Sequence, residues 1–211
     1  MMPAAAATFT PPGLLFDEPA HRYSLDGTDL INVTGALSAA GLVDRFWYKP
    51  GDAERGSRVH AALHLLHRNQ LRDEHLTDQI DPYVRAYQSF LADSGFRIDA
   101  SEERVCDPML RCAGTLDLRG QFIKPAAGLT GMHGDRIDVI DVKTGTAPPW
   151  VSYQTAGYVR LLPPKCWKVA HRWSLTLKAN ARYTLDPLTK RNDERVFLAA
   201  VTIAQAKRGW L

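Results

Sequence analysis

Ile137-Asp138-Val139-Ile140-Asp141-Val142-Lys143-Thr144-Gly145 is the stretch whose reading decides the fold. From Arg136 to Lys143 it carries a short strand pattern, with Ile137, Val139 and Ile140 as its apolar part. In a strand, residues two apart point to the same side, so Asp141 and Lys143 stand next to one another. An Asp-x-Lys pair by itself is most often a structural ion pair. Here Asp138 and Asp141 lie at the polar end of an otherwise apolar strand, where a binding crevice is expected. Upstream, Gly114-Thr115-Leu116-Asp117 reads as a second strand ending in a carboxylate, behind a glycine that permits close backbone approach. Two carboxylates on neighbouring strands with a lysine beside them provide hard oxygen ligands for Mg²⁺ and a fixed positive charge.

Working outward, His21–Val33 reads as a β-hairpin turning at Asp26-Gly27. Thr34 looks like the N-cap of a short helix to about Ala40. A long helix is predicted from after Gly51 to about Asn69, with Val59, Leu63 and Leu66 on one apolar stripe. Another covers Asp81 to Asp93, before Gly95. Arg104–Pro108 and Cys112–Phe122 carry strand patterns, and a loop is expected from Ala126 to Asp135. A helix follows over Val151–Leu161, then strands over Lys168–Leu177 and Arg182–Leu185. The acidic turn Asn192-Asp193-Glu194 opens a final helix to about Lys207. This order predicts an α/β (α+β) domain with a central mixed β-sheet flanked by helices.

Length and composition agree. Of the 211 residues, 45% are hydrophobic and 23% charged, which is ordinary globular composition and excludes a largely disordered chain. Residues 1–13 read as a flexible, Ala/Pro-rich N-terminal segment ahead of a single domain over 14–211. No uncharged apolar run approaches the roughly 18–20 residues of a membrane span. Three cysteines, Cys106, Cys112 and Cys166, form no CxxC pair, so neither a disulfide framework nor a four-cysteine cluster is expected. Reduced, mostly buried thiols point to a cytoplasmic protein. Net charge is +3, but from Arg160 onward 11 Lys/Arg face 3 Asp/Glu, while the preceding part has 15 against 20. A basic portion beside an acid-rich one suits a polyanion held near a metal-binding carboxylate site; a solvated lysine-rich surface is the plain alternative.

Gly114/Asp117, Asp141/Lys143 and Gln154/Tyr158 occur in order, preceded by Gly56-Ser57-Arg58-Val59-His60 and by His21-Arg22-Tyr23 with Asn32-Val33-Thr34. In these motifs the chain resembles the PD-(D/E)XK nuclease superfamily, in its RecB-type and phage exonuclease branch. The resemblance spans about residues 20–207 and implies a restriction-endonuclease-like core. It further implies metal ligation by His60, Asp117, Asp141 and the Val142 carbonyl, with Mg²⁺ or Mn²⁺ as the ion. Lys143 would orient the attacking water or stabilise phosphate charge. Gln154 and Tyr158, four apart on one helical face, would reach the site or the DNA backbone. No iron–sulfur cluster is expected, because the four cysteines that hold it in several members of the branch are not present.

The activity implied is a divalent-metal-dependent DNA exonuclease acting on linear ends in phage-type recombination or repair, in a bacterial or phage-infected cell, with a single-strand annealing protein as a possible partner. Its rivals are a non-catalytic DNA-binding or assembly subunit and an endonuclease. Arg160, Lys165, Lys168 and Arg172 are candidate phosphate contacts. His64 and His67 share a helical face with His60 but read more simply as solvated or core histidines. Glu102 and Glu103 read as solvated rather than catalytic. Trp150, Trp167, Trp173 and Trp210 could stack on bases, though core or rim packing is the simpler reading of each.

Overall fold

The computed structural model describes residues 8–44, 50–123 and 136–211. In chain order its elements are β1 (Leu14–Asp17), β2 (Arg22–Leu25), β3 (Thr28–Asn32), α1 (Val33–Ala39), α2 (Asp52–His67) and α3 (Asp81–Ser94). They continue with β4 (Phe96–Asp107), β5 (Cys112–Phe122), β6 (Ile137–Thr144), α4 (Val151–Leu161), β7 (Ala170–Leu177), β8 (Tyr183–Pro187) and α5 (Asp193–Lys207). The strands form one mixed sheet in the order β1-β2-β3-β5-β6-β7-β8, with β4 paired to the other edge of β5. The β3–β5 and β6–β7 pairs are parallel and the rest antiparallel. This is the expected mixed sheet flanked by helices.

Apolar side chains cover both faces of the sheet. On one, α1, α4 and α5 bring Leu37, Tyr158 and Phe197 against Cys112, Leu116 and Val139. On the other, α2 and α3 bring Val59, Tyr87 and Phe90 against Leu118, Ile140, Val142 and Leu175. Adjacent residues of β6, Val139 and Ile140, therefore sit in different clusters, as alternation along a strand requires. The same rule fails on β5. Leu116 and Leu118 should share a face, yet they belong to opposite ones. Facing switches at Asp117. Directly across the β4–β5 ladder, between the pairs Glu103↔Leu116 and Ser101↔Leu118, stands Glu102 with φ of 51°. A positive φ is uncommon for a non-glycine residue and turns its neighbours out of register with the pleat.

A second irregularity lies on the other edge of β5. β3 pairs with it at Ile31↔Cys112 and Asn32↔Ala113, whereas β6 pairs from Leu118↔Ile140 to Gly120↔Asp138. Between these ladders, residues 114–117 of β5 face a fork. Here Tyr23 and Thr115 share a hydroxyl–hydroxyl bond of 2.8 Å. Gly114 is required at this point: a Cβ would lie 2.8 Å from Tyr158 Cε1 and 3.0 Å from Val33 Cγ2.

Three local expectations need correction. The N-cap of α1 is Asn32, whose side chain accepts the Gly35 amide, and not Thr34. β4 begins at Phe96 rather than near Arg104. Its first half is polar, and its charges are satisfied sideways, Arg97 by Asp99 and Arg119 by Glu103, so no apolar run announces it. The stretch expected to fray is anchored where it is described: the Phe9 amide donates to Glu103 Oε1 at 2.7 Å, and Arg119 lies over the Phe9 ring. The expected loop Ala126–Asp135 lies outside the described residues.

Candidate metal centre

The centre forms where the β5 fork meets α2. Asp117 turns out of the ladder at the facing switch, and its Oδ2 accepts the Val142 backbone N–H at 2.6 Å. α2 crosses above β6 and lowers His60 toward the same point: Nε2 lies 3.1 Å from the Val142 carbonyl oxygen. His60 Nδ1 is 3.4 Å from Glu102 Oε1 and 3.6 Å from Asp117 Oδ1. One ligand atom from each of His60, Glu102 and Asp117 can be chosen so that all lie within 4.8 Å of one another. That is the separation expected of atoms sharing one cation at 2.0–2.6 Å.

Behind this group, Asp141 is completely buried, with the Lys143 ammonium 2.7 Å from Oδ2. Beyond the Lys143 ammonium, no hydrogen bond reaches either Asp141 oxygen among the described residues. A buried carboxylate so poorly satisfied is costly unless a cation compensates it. Burial pushes the carboxyls of Asp117 and Asp141 above the usual range, with His60 and Lys143 pulling them back. Burial alone would lower His60, but the Asp117 charge and the hydrogen bond and charge of Glu102 prevail, raising it to about 9. The imidazolium thus stands where three ligands converge. Carboxylate oxygens, a carbonyl oxygen and one imidazole form a set suited to a hard or borderline divalent ion, Mg²⁺ or Mn²⁺, so the residues present fit the ion implied by the resemblance.

Of the residues singled out from sequence, His60, Asp117 and the Val142 carbonyl converge directly, with Asp141 and Lys143 beside them but outside the 4.8 Å group. Glu102 is the ligand candidate that sequence reasoning set aside as solvated. Its neighbour Glu103, read the same way, is buried and clasps Arg119 Nε at 2.6 Å. Gln154 donates to the Tyr158 hydroxyl at 2.9 Å. Both are buried beneath the carboxylates, so the direct reach to a DNA backbone suggested by their spacing is not open to them.

The four phosphate candidates lie away from Gln154 and Tyr158, Arg160 and Arg172 at the other face of α4 and Lys165 and Lys168 in the turn that follows it. Arg160 is taken up by Asp107 at 2.8 Å, and Arg172 by the Ser152 carbonyl at 2.6 Å and Asp193 at 3.0 Å. Lys165 and Lys168 are exposed there, away from the centre. His67 bonds the Tyr87 hydroxyl at 2.7 Å, His64 faces Ser101 at 3.5 Å, and both line the small pocket that His60, Glu102 and Asp117 share. Asp138 also has a structural role, accepting from Arg136 and from the Trp173 indole. Trp150 and Trp173 are buried, and Trp210 lies under the Arg111 guanidinium; Trp167 is 37% exposed.

The architecture is shared with a solved protein. A structure from Eubacterium rectale named "Putative exonuclease" superposes with a TM-score of 0.51 at 10% identity, over 86% of this chain and 82% of that one. At that identity the likeness shows a common fold and nothing finer. A solved protein designated SSO0001 gives a TM-score of 0.35 at 11% identity over 83% of this chain and 84% of the other, too low to carry an argument. No family model and no curated protein matches the sequence. Among the described residues, no helix is long and apolar enough to cross a membrane.

Proposed function

We propose that this chain is a divalent-metal-dependent deoxyribonuclease of the PD-(D/E)XK type, acting as an exonuclease on DNA ends. The observation that carries the reading is the convergence of His60, Glu102 and Asp117, joined by the Val142 carbonyl, beside the buried Asp141–Lys143 pair. A bound divalent ion would lower the pKa of a water and neutralise charge on a phosphate. The protein's own groups do the remainder. Glu102, Asp117 and His60 would hold the ion, and the Val142 N–H fixes the Asp117 carboxylate. Lys143, tethered by Asp141, offers a fixed positive charge and three donors to the scissile phosphate or the attacking water. Gln154 and Tyr158 brace the floor beneath Asp141 and hold Gly114 close. Mg²⁺ and Mn²⁺ are both served by this ligand set. A role in phage-type recombination beside a single-strand annealing protein, in the cytoplasm of a bacterial host, belongs to the same proposal and rests on the sequence resemblance.

The test is incubation of purified protein with linear and covalently closed circular DNA, with Mg²⁺ or Mn²⁺ and with EDTA. Metal-dependent loss of linear DNA only is expected, with Asp141→Ala and Lys143→Ala each reducing the rate at least about 100-fold, the scale of removing a group that stabilises transition-state charge. Cleavage of the circle would make the enzyme an endonuclease. Salt-dependent DNA binding without turnover in any metal would overturn catalysis and leave a binding subunit.

A further inference from the structure

On the face of α4 opposite Gln154 and Tyr158 lies a cavity of about 360 Å³, between α4, the start of β7 and the loop from β8 into α5. Its size falls in the range that holds small ligands. Its β7 wall, Ala170 to Trp173, pairs with Ile137 to Ile140 and stops one residue short of Asp141, and none of His60, Glu102, Asp117, Asp141 or Lys143 lines it. The two sites are separate places on the molecule.

The lining combines two chemistries. Four cationic side chains, Arg160, Arg172, Lys190 and Arg191, face it against one carboxylate, Glu194. Arg160 and Arg172 are held in place by Asp107 and Asp193, while Glu194 is drawn toward Arg160 Nε at 3.8 Å. The side chains of Lys190 and Arg191, both exposed, have no partner among the described residues, so the charge left over at the mouth is positive. The second element is Trp167. Its indole N–H is anchored to the Leu162 carbonyl at 2.8 Å, and the Arg160 guanidinium lies 4.1 Å from the ring centroid. The ring is thus fixed and electron-poor-backed, yet still 37% exposed. A pre-positioned aromatic plane beside uncommitted cations is what recognition of a base attached to a phosphate requires.

We propose that this cavity binds a nucleotide unit, its base against Trp167 and its phosphate on Lys190 and Arg191, with the unit coming either from free mononucleotide or from the terminus of a strand. The two sources share one chemistry. Neither needs the metal centre, so the proposal goes beyond the nuclease reading and does not depend on it.

Calorimetric titration of the full-length protein in EDTA tests this, using 5′-deoxyadenosine monophosphate, deoxyadenosine, inorganic phosphate and a short single strand carrying a 5′-phosphate. The monophosphate is expected to bind at least about tenfold more tightly than phosphate or nucleoside alone. The double variant Lys190→Ala/Arg191→Ala, which alters only exposed side chains, should weaken it at least about tenfold with unchanged melting. Trp167→Ala should weaken it at least about fivefold, the low end for loss of one base–aromatic stack. Asp141→Asn should leave it within about twofold. Competition by the 5′-phosphorylated strand assigns the site to strand ends; its failure to compete assigns it to free nucleotide, and either supports the site. Phosphate binding as tightly as nucleotide would overturn the proposal. So would loss of binding in Asp141→Asn but not in the double variant, or no saturable nucleotide binding. A protein that binds nucleotide here but never cleaves DNA would refute the nuclease reading alone.

Discussion

If His60 is a metal ligand, its proton must leave when the ion arrives, and the structure says how tightly that proton is held. Glu102 and Asp117 raise His60 to about 9 in the metal-free protein, against an ordinary 6.5. At pH 7 the neutral form is then about one molecule in a hundred, and it reaches about a quarter at pH 8.5. Because the metal selects the neutral form, affinity for Mg²⁺ should rise about 25-fold between pH 7 and 8.5, nearly one logarithmic unit per pH unit. An unperturbed histidine would give only about a 1.3-fold rise over the same range. Calorimetry in two buffers of different ionisation enthalpy should find about one proton released per ion at pH 7.5. His60→Gln should bind more weakly and lose the slope. A flat affinity above pH 7.5 in the wild type would refute the reasoning, and a slope near two would assign a second displaced proton to Asp117.

The same shift predicts the stability of the metal-free protein. A group whose folded pKa is raised stabilises the fold fully below its unfolded value, here about 6.5, and that contribution is lost as pH climbs through about 9. The loss should be on the order of 2–3 kcal/mol, or several degrees in Tm for a chain of this size, and saturating Mg²⁺ should restore it.

Adjacent glutamates should behave oppositely. Glu102→Gln should cost tenfold or more in metal affinity and only the Glu102 share of the His60-linked stability, whereas Glu103→Gln removes the carboxylate that clasps the buried Arg119 and should cost about 3 kcal/mol or more, read by denaturant unfolding. Asp141→Asn should abolish cleavage yet raise the Tm of the metal-free protein at pH 8. Burial has pushed the Asp141 carboxyl up, so its ionised form is a liability there, worth about 1–3 kcal/mol, and an unchanged or lower Tm would count against that account. Gly114→Ala forces a methyl against Tyr158 and Val33 and should cost about 1–3 kcal/mol; an unchanged unfolding midpoint would show that the strand and α4 can part freely.

The fold was legible where periodicity is strong. α2, α3, α4 and β6 follow from apolar spacing, and their ends from Gly95 and from the residues before Pro163. The polar half of β4 was not, because an outer strand satisfied by lateral ion pairs has no apolar run to announce it. The centre was legible as far as motifs reach: His60, Asp117, Asp141 and Lys143 were marked by residue type and spacing. Glu102 was invisible for a geometric reason. In a regular strand it would face away from Glu103 with no special place; only its positive φ, opposite the switch at Asp117, aims it at His60. A non-glycine residue in that backbone region reflects tertiary constraint and leaves no mark in sequence. Charge counts likewise cannot show that Asp107 and Asp193 already hold Arg160 and Arg172.

The charge balance of the centre follows from the same geometry. Three carboxylates, Glu102, Asp117 and Asp141, surround two positive charges, the His60 imidazolium and the Lys143 ammonium. The imidazolium occupies the convergence point and acts as an internal stand-in for the ion, which lets the ligands be ordered before one binds. Pre-ordering by the imidazolium lowers apparent metal affinity near neutral pH, but it spares the later reorganisation that an unformed site would require. If that trade governs the centre, replacing His60 by the neutral amide of Gln should do two separable things. It should loosen Glu102 and Asp117, seen as faster amide exchange at Val142, and it should remove the proton that competes with the ion. A variant that kept the exchange rate while losing the pH slope would show that His60 only titrates and does not order the site.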